Sequence, residues 1–282
     1  MSYREETLDS CFFFSILSKT ILMYNKSYYR KVWLVNIMNK MKISVITVCY
    51  NSEKTIGRTF EFILKQTLPS FEYIVIDGAS SDNTVNIIKE YAPKFAERNI
   101  EFYWISEKDK GIYDAMNKGI AMAKGDYIGI INSDDHYMPW TLEMVATEGG
   151  KHPNIDVFHG LLRHTTNGLL SRITGLPSSQ LKNSMFEHPT CFVSSRTYKK
   201  YGLFNLEYKY VADYELMLRL HNKGCSFYLI EEVLADFDEN GEGNSWTSIK
   251  ESLVLRKSEG LINYKQYIYL LLKNYLYRVF KS

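Results

Sequence analysis

Asp134 and Asp135 stand side by side at the end of an apolar run, Tyr127 to Ile131. Two carboxylates held close together out of water repel each other, and a hard divalent cation relieves that repulsion. Mg²⁺ or Mn²⁺ takes a few carboxylates and fills the rest of its shell with phosphate oxygens and water. The pair therefore suits a diphosphate group on which negative charge builds as it leaves. An Asp-Asp in a loop is more often a solvated turn. What sets this one apart is its position directly after a strand.

That strand is the fourth of a regular series. Ile43 to Val48 is rich in β-branched residues and reads as the first. Ile56, Phe60, Ile63 and Leu64 then recur at helical spacing up to the Leu68-Pro69 break. Phe71 to Ile76 is a second strand ending on Asp77, and Asp82 is placed to cap the helix carrying Val85, Ile88 and Tyr91. Phe102 to Ile105 is a third strand, and Ile112, Ala115, Met116, Gly119, Ile120 and Ala123 mark a third helix. This alternation implies an α/β fold, a Rossmann-like, mostly parallel central sheet flanked by helices. Ligands in such sheets bind at the carboxyl ends of the strands. Asn51, Asp77, Ser106 and Asp134 all fall there.

After Gly150 the rhythm weakens to an α+β texture. Asp156–Gly160 and the segments flanking Thr166-Asn167-Gly168 read as short strands and a hairpin. Tyr214 to Lys223 reads as a helix closed by Gly224, and Phe227–Ile230 as a further strand. Residues 41–260 are read as one catalytic domain.

Composition excludes several classes. A net charge of +2 gives no basis for nucleic-acid binding. Cys11, Cys49, Cys191 and Cys225 form no CxxC pair, which argues against a zinc cluster and for free thiols in a reducing cytoplasm. The segment after the first strand, Cys49 to Glu53, lacks the glycines of a dinucleotide-binding turn, and no P-loop pattern occurs.

From Lys42 to Ser245 the chain resembles the family 2 glycosyltransferases, which have the GT-A fold. The resemblance is carried by Ser44 to Asn51, by Asp77-Gly78-Ala79-Ser80-Ser81-Asp82, by the run Ser106 to Gly119, and by Asn132-Ser133-Asp134-Asp135. It implies a metal-dependent, inverting transfer of a sugar from a nucleoside-diphosphate donor, UDP-linked, to a glycan or lipid-linked acceptor. The run Asp109 to Gly119 is similar to bacterial enzymes of surface polysaccharide assembly. The resemblance implies that Tyr50 stacks on the base and that Asp77 either bonds the base or holds its loop. Asn51 and Asn117 are expected at the donor, Asp134 at the ribose or the metal, and Asp135 as direct metal ligand. His136 is either a further ligand or a solvent-facing loop residue. Asp213, at the start of its helix, matches the catalytic base, and His188 is expected to contact the acceptor or the diphosphate. The Gly-rich loop Asn240 to Ser245 would close on the diphosphate, since glycines let backbone N–H groups approach phosphate. Two other readings are a nucleotide-sugar-binding scaffold without catalysis and a sugar-phosphate nucleotidyltransferase.

The ends differ from the middle. Residues 1–40 read as an extension, either poorly ordered, a binding arm, or the product of a misassigned start at Met38 or Met41. From Leu261 to Ser282 no acidic residue occurs, and Lys265, Lys273, Arg278 and Lys281 interleave with aromatic and aliphatic residues. That helix suits either an anionic membrane surface or packing on the domain. A cytoplasmic protein, peripheral at the inner face of the plasma membrane, is the expectation.

Overall fold

The computed structural model describes residues 41–166, 169–238 and 246–281. The expectations for residues 1–40 and for the Gly-rich loop lie outside them. Met41–Ser282 forms one compact unit.

Its first half follows the predicted alternation. In chain order the elements are β1 (Ile43–Cys49), α1 (Ile56–Leu64), β2 (Glu72–Asp77), α2 (Thr84–Glu97), β3 (Glu101–Ser106), α3 (Ile112–Met122) and β4 (Tyr127–Ile130). Every residue of β1, β2 and β4 is buried, as strands covered on both faces require. β1 pairs in parallel with β2 and β4, and β2 with β3, giving the order β3-β2-β1-β4. Thus Cys49, Asp77 and Ser106 end level on one edge.

Side-chain alternation splits the core. Tyr73 points to one face, where it meets Phe60 of α1 and Phe95 of α2 edge-on, at 6.0 and 5.2 Å between ring centroids. Ile46, Ile74, Ile76 and Ile130 lie in the other cluster, together with Met116 and Ile120 of α3. Gly119 allows α3 to sit this close, because a Cβ there would lie 2.6 Å from the Ile46 side chain. The helix is thereby drawn against the sheet, with its N-terminus at the carboxyl edge.

The second half continues with β5 (His136–Tyr137), α4 (Thr141–Lys151), β6 (Val157–Thr166), β7 (Leu169–Thr174), β8 (Phe192–Ser194), α5 (Ser195–Tyr201), α6 (Ala212–Asn222), β9 (Phe227–Asp238), α7 (Trp246–Ser258) and α8 (Tyr264–Lys281). β8 joins β4 antiparallel, and the sheet runs on through β6 and β9 to β5, with β7 on β6 as the expected hairpin. β6 and β9 are much longer than the sequence pattern implied. Glu231 and Glu232 interrupt the apolar run of β9, yet pairing with β6 continues past them through register shifts around Leu161. Among the described residues no helix is long and apolar enough to cross a membrane.

Candidate active site

The carboxyl edge opens onto a cavity of about 690 Å³. Tyr50 and Ser52 wall it after β1, and Asn132 to Asp135 after β4. Asp109, Gly111, Ile112 and Ala115 come from the loop after β3 and the first turn of α3. Lys209, Tyr210 and Phe237 come from the second half. The Tyr50 ring is 64% exposed, a large flat apolar surface left open at the cavity.

Behind this wall lies a dense set of hydrogen bonds. The buried Asp77 carboxylate accepts from Ser80 N at 3.0 Å, Ser80 Oγ at 2.5 Å and Ser106 Oγ at 2.6 Å, with the Cys49 thiol at 3.6 Å. Both its oxygens are engaged by its own loop and by β3. Of the two roles expected for Asp77, this is the loop-holding one. Burial, then the charge of Asp77, pushes the Cys49 thiol up, so it remains a neutral donor. Asn51 sits at φ 49° and accepts from Ser81 N at 2.9 Å, while its own N–H donates to Ser80 Oγ at 2.8 Å. It ties the end of β1 to the loop after β2. Asp82 accepts from Thr84 N at 3.0 Å just ahead of α2, but the N-cap position itself is Asn83.

Asp134 is exposed and Asp135 is 1% exposed, and both line the cavity. Asn132 Nδ2 lies 3.5 Å from Asp135 Oδ2, Thr59 Oγ1 donates to the Asp135 carbonyl at 2.9 Å, and Ser133 Oγ bonds Ser52 Oγ at 2.8 Å. Among the described residues no cluster of three His, Cys, Asp or Glu forms a cage. Two carboxylates at an open cavity fit a Mg²⁺ or Mn²⁺ that shares its shell with phosphate and water.

His136 is not the solvent-facing loop residue that was one of its two expected readings. It is buried in β5 beside Asp236 of β9, Nε2 to Oδ2 3.2 Å, and stacks on Phe62 at 3.8 Å. Burial lowers its pKa to about 4, against the pull of Asp236. The correction has a simple cause: β9 extends far enough to pair with a two-residue strand that the sequence does not reveal.

On the other side of the cavity, Asp213 is the second residue of α6. Tyr113 of α3 donates its hydroxyl to Asp213 Oδ1 at 2.9 Å. Burial, then the Asp213 charge, holds the Tyr113 pKa far above its usual value, which keeps that proton in place. Asp213 is not on the cavity wall, but Tyr210 and Ile112, each close in sequence to one partner of this pair, are. His188 is half-buried with its ring against Phe204, and burial keeps it below its ordinary pKa despite the Asp213 charge. Asn117 lies off the cavity wall. Its Nδ2 donates to Phe204 O and its Oδ1 accepts from Phe204 N, both at 3.0 Å, so its amide braces α3 against the segment leading to α6.

That segment has its own anchor. The side chain of Val211 cannot cap α6. Glu251 of α7 accepts from the backbone N–H groups of Lys209, Tyr210 and Val211, the segment that enters α6, at 2.9, 2.6 and 3.1 Å. Sequence reasoning missed Glu251, Lys209, Tyr210 and Phe237. The only local signal was the position of Lys209 and Tyr210 just before a helix whose start faces the edge.

A family model described as "Glycosyl transferase family 2" matches residues 44–203. A relative named "PGL/p-HBAD biosynthesis glycosyltransferase" from Mycobacterium bovis is 29% identical over 216 residues, spanning 76% of this chain and 82% of its own. TarS of S. aureus, solved as its 1–349 portion with UDP-GlcNAc, superposes with a TM-score of 0.62 at 23% identity, over 82% of this chain and 70% of that one. Against a longer TarS chain the coverage is 42% of that chain. A mannosyltransferase of Pyrobaculum calidifontis with GDP-Man and Mn²⁺ gives a TM-score of 0.61 at 15% identity, over 78% of this chain and 64% of that one. These likenesses establish the GT-A fold.

Proposed function

Since the chain belongs to glycosyl transferase family 2, we propose that it moves a sugar from a UDP-linked donor to a glycan or lipid-linked acceptor of a surface polysaccharide, with inversion. The observation that carries this reading is the cavity itself. It sets the open Tyr50 ring and the Asp134–Asp135 pair on the walls of one space at the strand ends. The ring suits a nucleobase, and the carboxylates suit the cation of a diphosphate. Neighbouring structures hold UDP-GlcNAc in one case and GDP-Man with Mn²⁺ in another, which supports a nucleotide-sugar donor and a divalent ion.

In this reading Asp134 and Asp135 would hold Mg²⁺ or Mn²⁺, which would offset the charge of the diphosphate. Tyr50 positions the base. The Asp77 and Asn51 network fixes the loop beneath it. The acceptor hydroxyl attacks the anomeric carbon and its proton passes to Asp213. The bond from that carbon to the diphosphate oxygen breaks in the same displacement, which inverts the centre. Tyr113 orients Asp213, which stands in the first turn of α6. His188 stands on the acceptor side. The test is Asp213→Asn, assayed for transfer and for donor binding separately. The expected result is unchanged donor affinity with turnover lowered about 10²–10⁴-fold. Turnover near wild type would remove Asp213 from the base role.

The C-terminal helix supports a lipid-facing placement. Tyr269, Leu272, Tyr275, Leu276 and Phe280 of α8 are exposed among Lys265, Lys273 and Arg278. We read this as a peripheral contact with anionic membrane. Cosedimentation with phosphatidylglycerol vesicles, lost in Lys273→Glu/Arg278→Glu, is the expected outcome. Equal sedimentation of both proteins would refute it.

A further inference from the structure

One carboxylate on the cavity wall has no part in the chemistry above. Asp109 lies in the loop between β3 and α3, half-buried, on the same wall as Tyr50. The loop is built rather than slack. Glu107 N donates to Asp77 O at 3.0 Å and Lys110 N to Asp114 Oδ2 at 3.0 Å. Lys118 Nζ donates to Lys108 O at 2.8 Å and pairs with Glu107 at 2.8 Å. Gly111, at φ 121°, returns its N–H to Asp109 Oδ1 at 2.9 Å. That bond fixes the carboxylate by one oxygen and leaves Oδ2 without a hydrogen-bond donor among the described residues.

Gly78 shows where Oδ2 goes. A Cβ built on Gly78 would lie 2.6 Å from Asp109 Oδ2 and 3.4 Å from Tyr50 Cδ2. The missing side chain at 78 is therefore the space that the Asp109 carboxylate occupies, beside the edge of the Tyr50 ring. A base stacked on that ring would present its hydrogen-bonding edge within reach of Oδ2.

We propose that Asp109 reads the nucleobase of the donor, selecting bases that carry a ring N–H over bases with a bare ring nitrogen. A carboxylate only accepts hydrogen bonds, so it pairs with the N–H of uracil or guanine and repels the lone pair that cytosine or adenine presents at the corresponding position. Gly78 is the second half of the device, because any side chain there displaces Asp109. The proposal rests on the donor-site reading above and adds which group gives that site its base preference.

Calorimetric titration of UDP and CDP, in Mn²⁺, tests it on the intact chain, since the two differ at the base edge. Wild type should favour UDP by about tenfold or more, the usual weight of a charge-assisted hydrogen bond. Asp109→Asn, which can donate as well as accept, should bring the UDP-to-CDP ratio close to one. Returning a carboxylate to the same space with Gly78→Asp in an Asp109→Gly background should restore the preference, which guards against loss through misfolding. A wild type that binds UDP and CDP equally, an Asp109→Asn that keeps the wild-type ratio, or a double variant without preference would overturn the assignment and leave the donor site standing. Wild type binding neither nucleotide would overturn both.

Discussion

The two walls of the cavity are built in different ways. At the strand ends, the residues proposed for the donor follow the strands directly, and neighbouring loops lock them: Asp77 with Ser80, Ser106 and Cys49, Asn51 with Ser80 and Ser81. Behind the opposite wall, the proposed base Asp213 is held by Tyr113, a hundred positions away in sequence, and the segment entering its helix is held by Glu251 of α7. Along the strand ends the hydrogen-bond donors and acceptors are matched within one sheet edge. The placement of Asp213 depends on two helices, α3 and α7, which carry Tyr113 and Glu251. In the proposed reaction, donor binding and proton transfer would thus fail separately.

Asp77→Ala gives the largest expected effect on this contrast. It leaves Ser80, Ser106 and Cys49 without their common acceptor in a buried site, at a cost of about 2–4 kcal/mol in stability by denaturant unfolding. It should also weaken UDP binding. Full stability in this variant would show that the donor wall is not held as described. Glu251→Ala should be milder, about 1 kcal/mol, the net size of a hydrogen bond in an exposed segment. Its signature is a fall in kcat with donor affinity retained, partly rescued by Glu251→Gln. A matching loss of donor affinity would erase the distinction between the walls.

This division also decides what could be read from the sequence. The positions of Asp134, Asp135, Asp77 and Asn51 at the strand ends were legible because each follows a continuous apolar run of the kind a strand buried on both faces needs. The four parallel strands were legible for the same reason. His136 was not, since its burial depends on β9 continuing past Glu231 and Glu232 to pair with a strand of two residues. Lys209, Tyr210 and Phe237 reach the cavity through long-range docking, which leaves no periodic trace. Asn117 has the composition of a ligand contact, yet its partner is a backbone segment far along the chain.

The central claim is that Asp134 and Asp135 join a divalent cation to the donor diphosphate at the carboxyl edge. Titrating UDP into wild type and Asp135→Asn, each with Mn²⁺ and with EDTA, tests it most directly. The account predicts tight binding only for wild type with Mn²⁺, and weak, metal-independent binding in the other three cases. Equal UDP affinity in all four would contradict it.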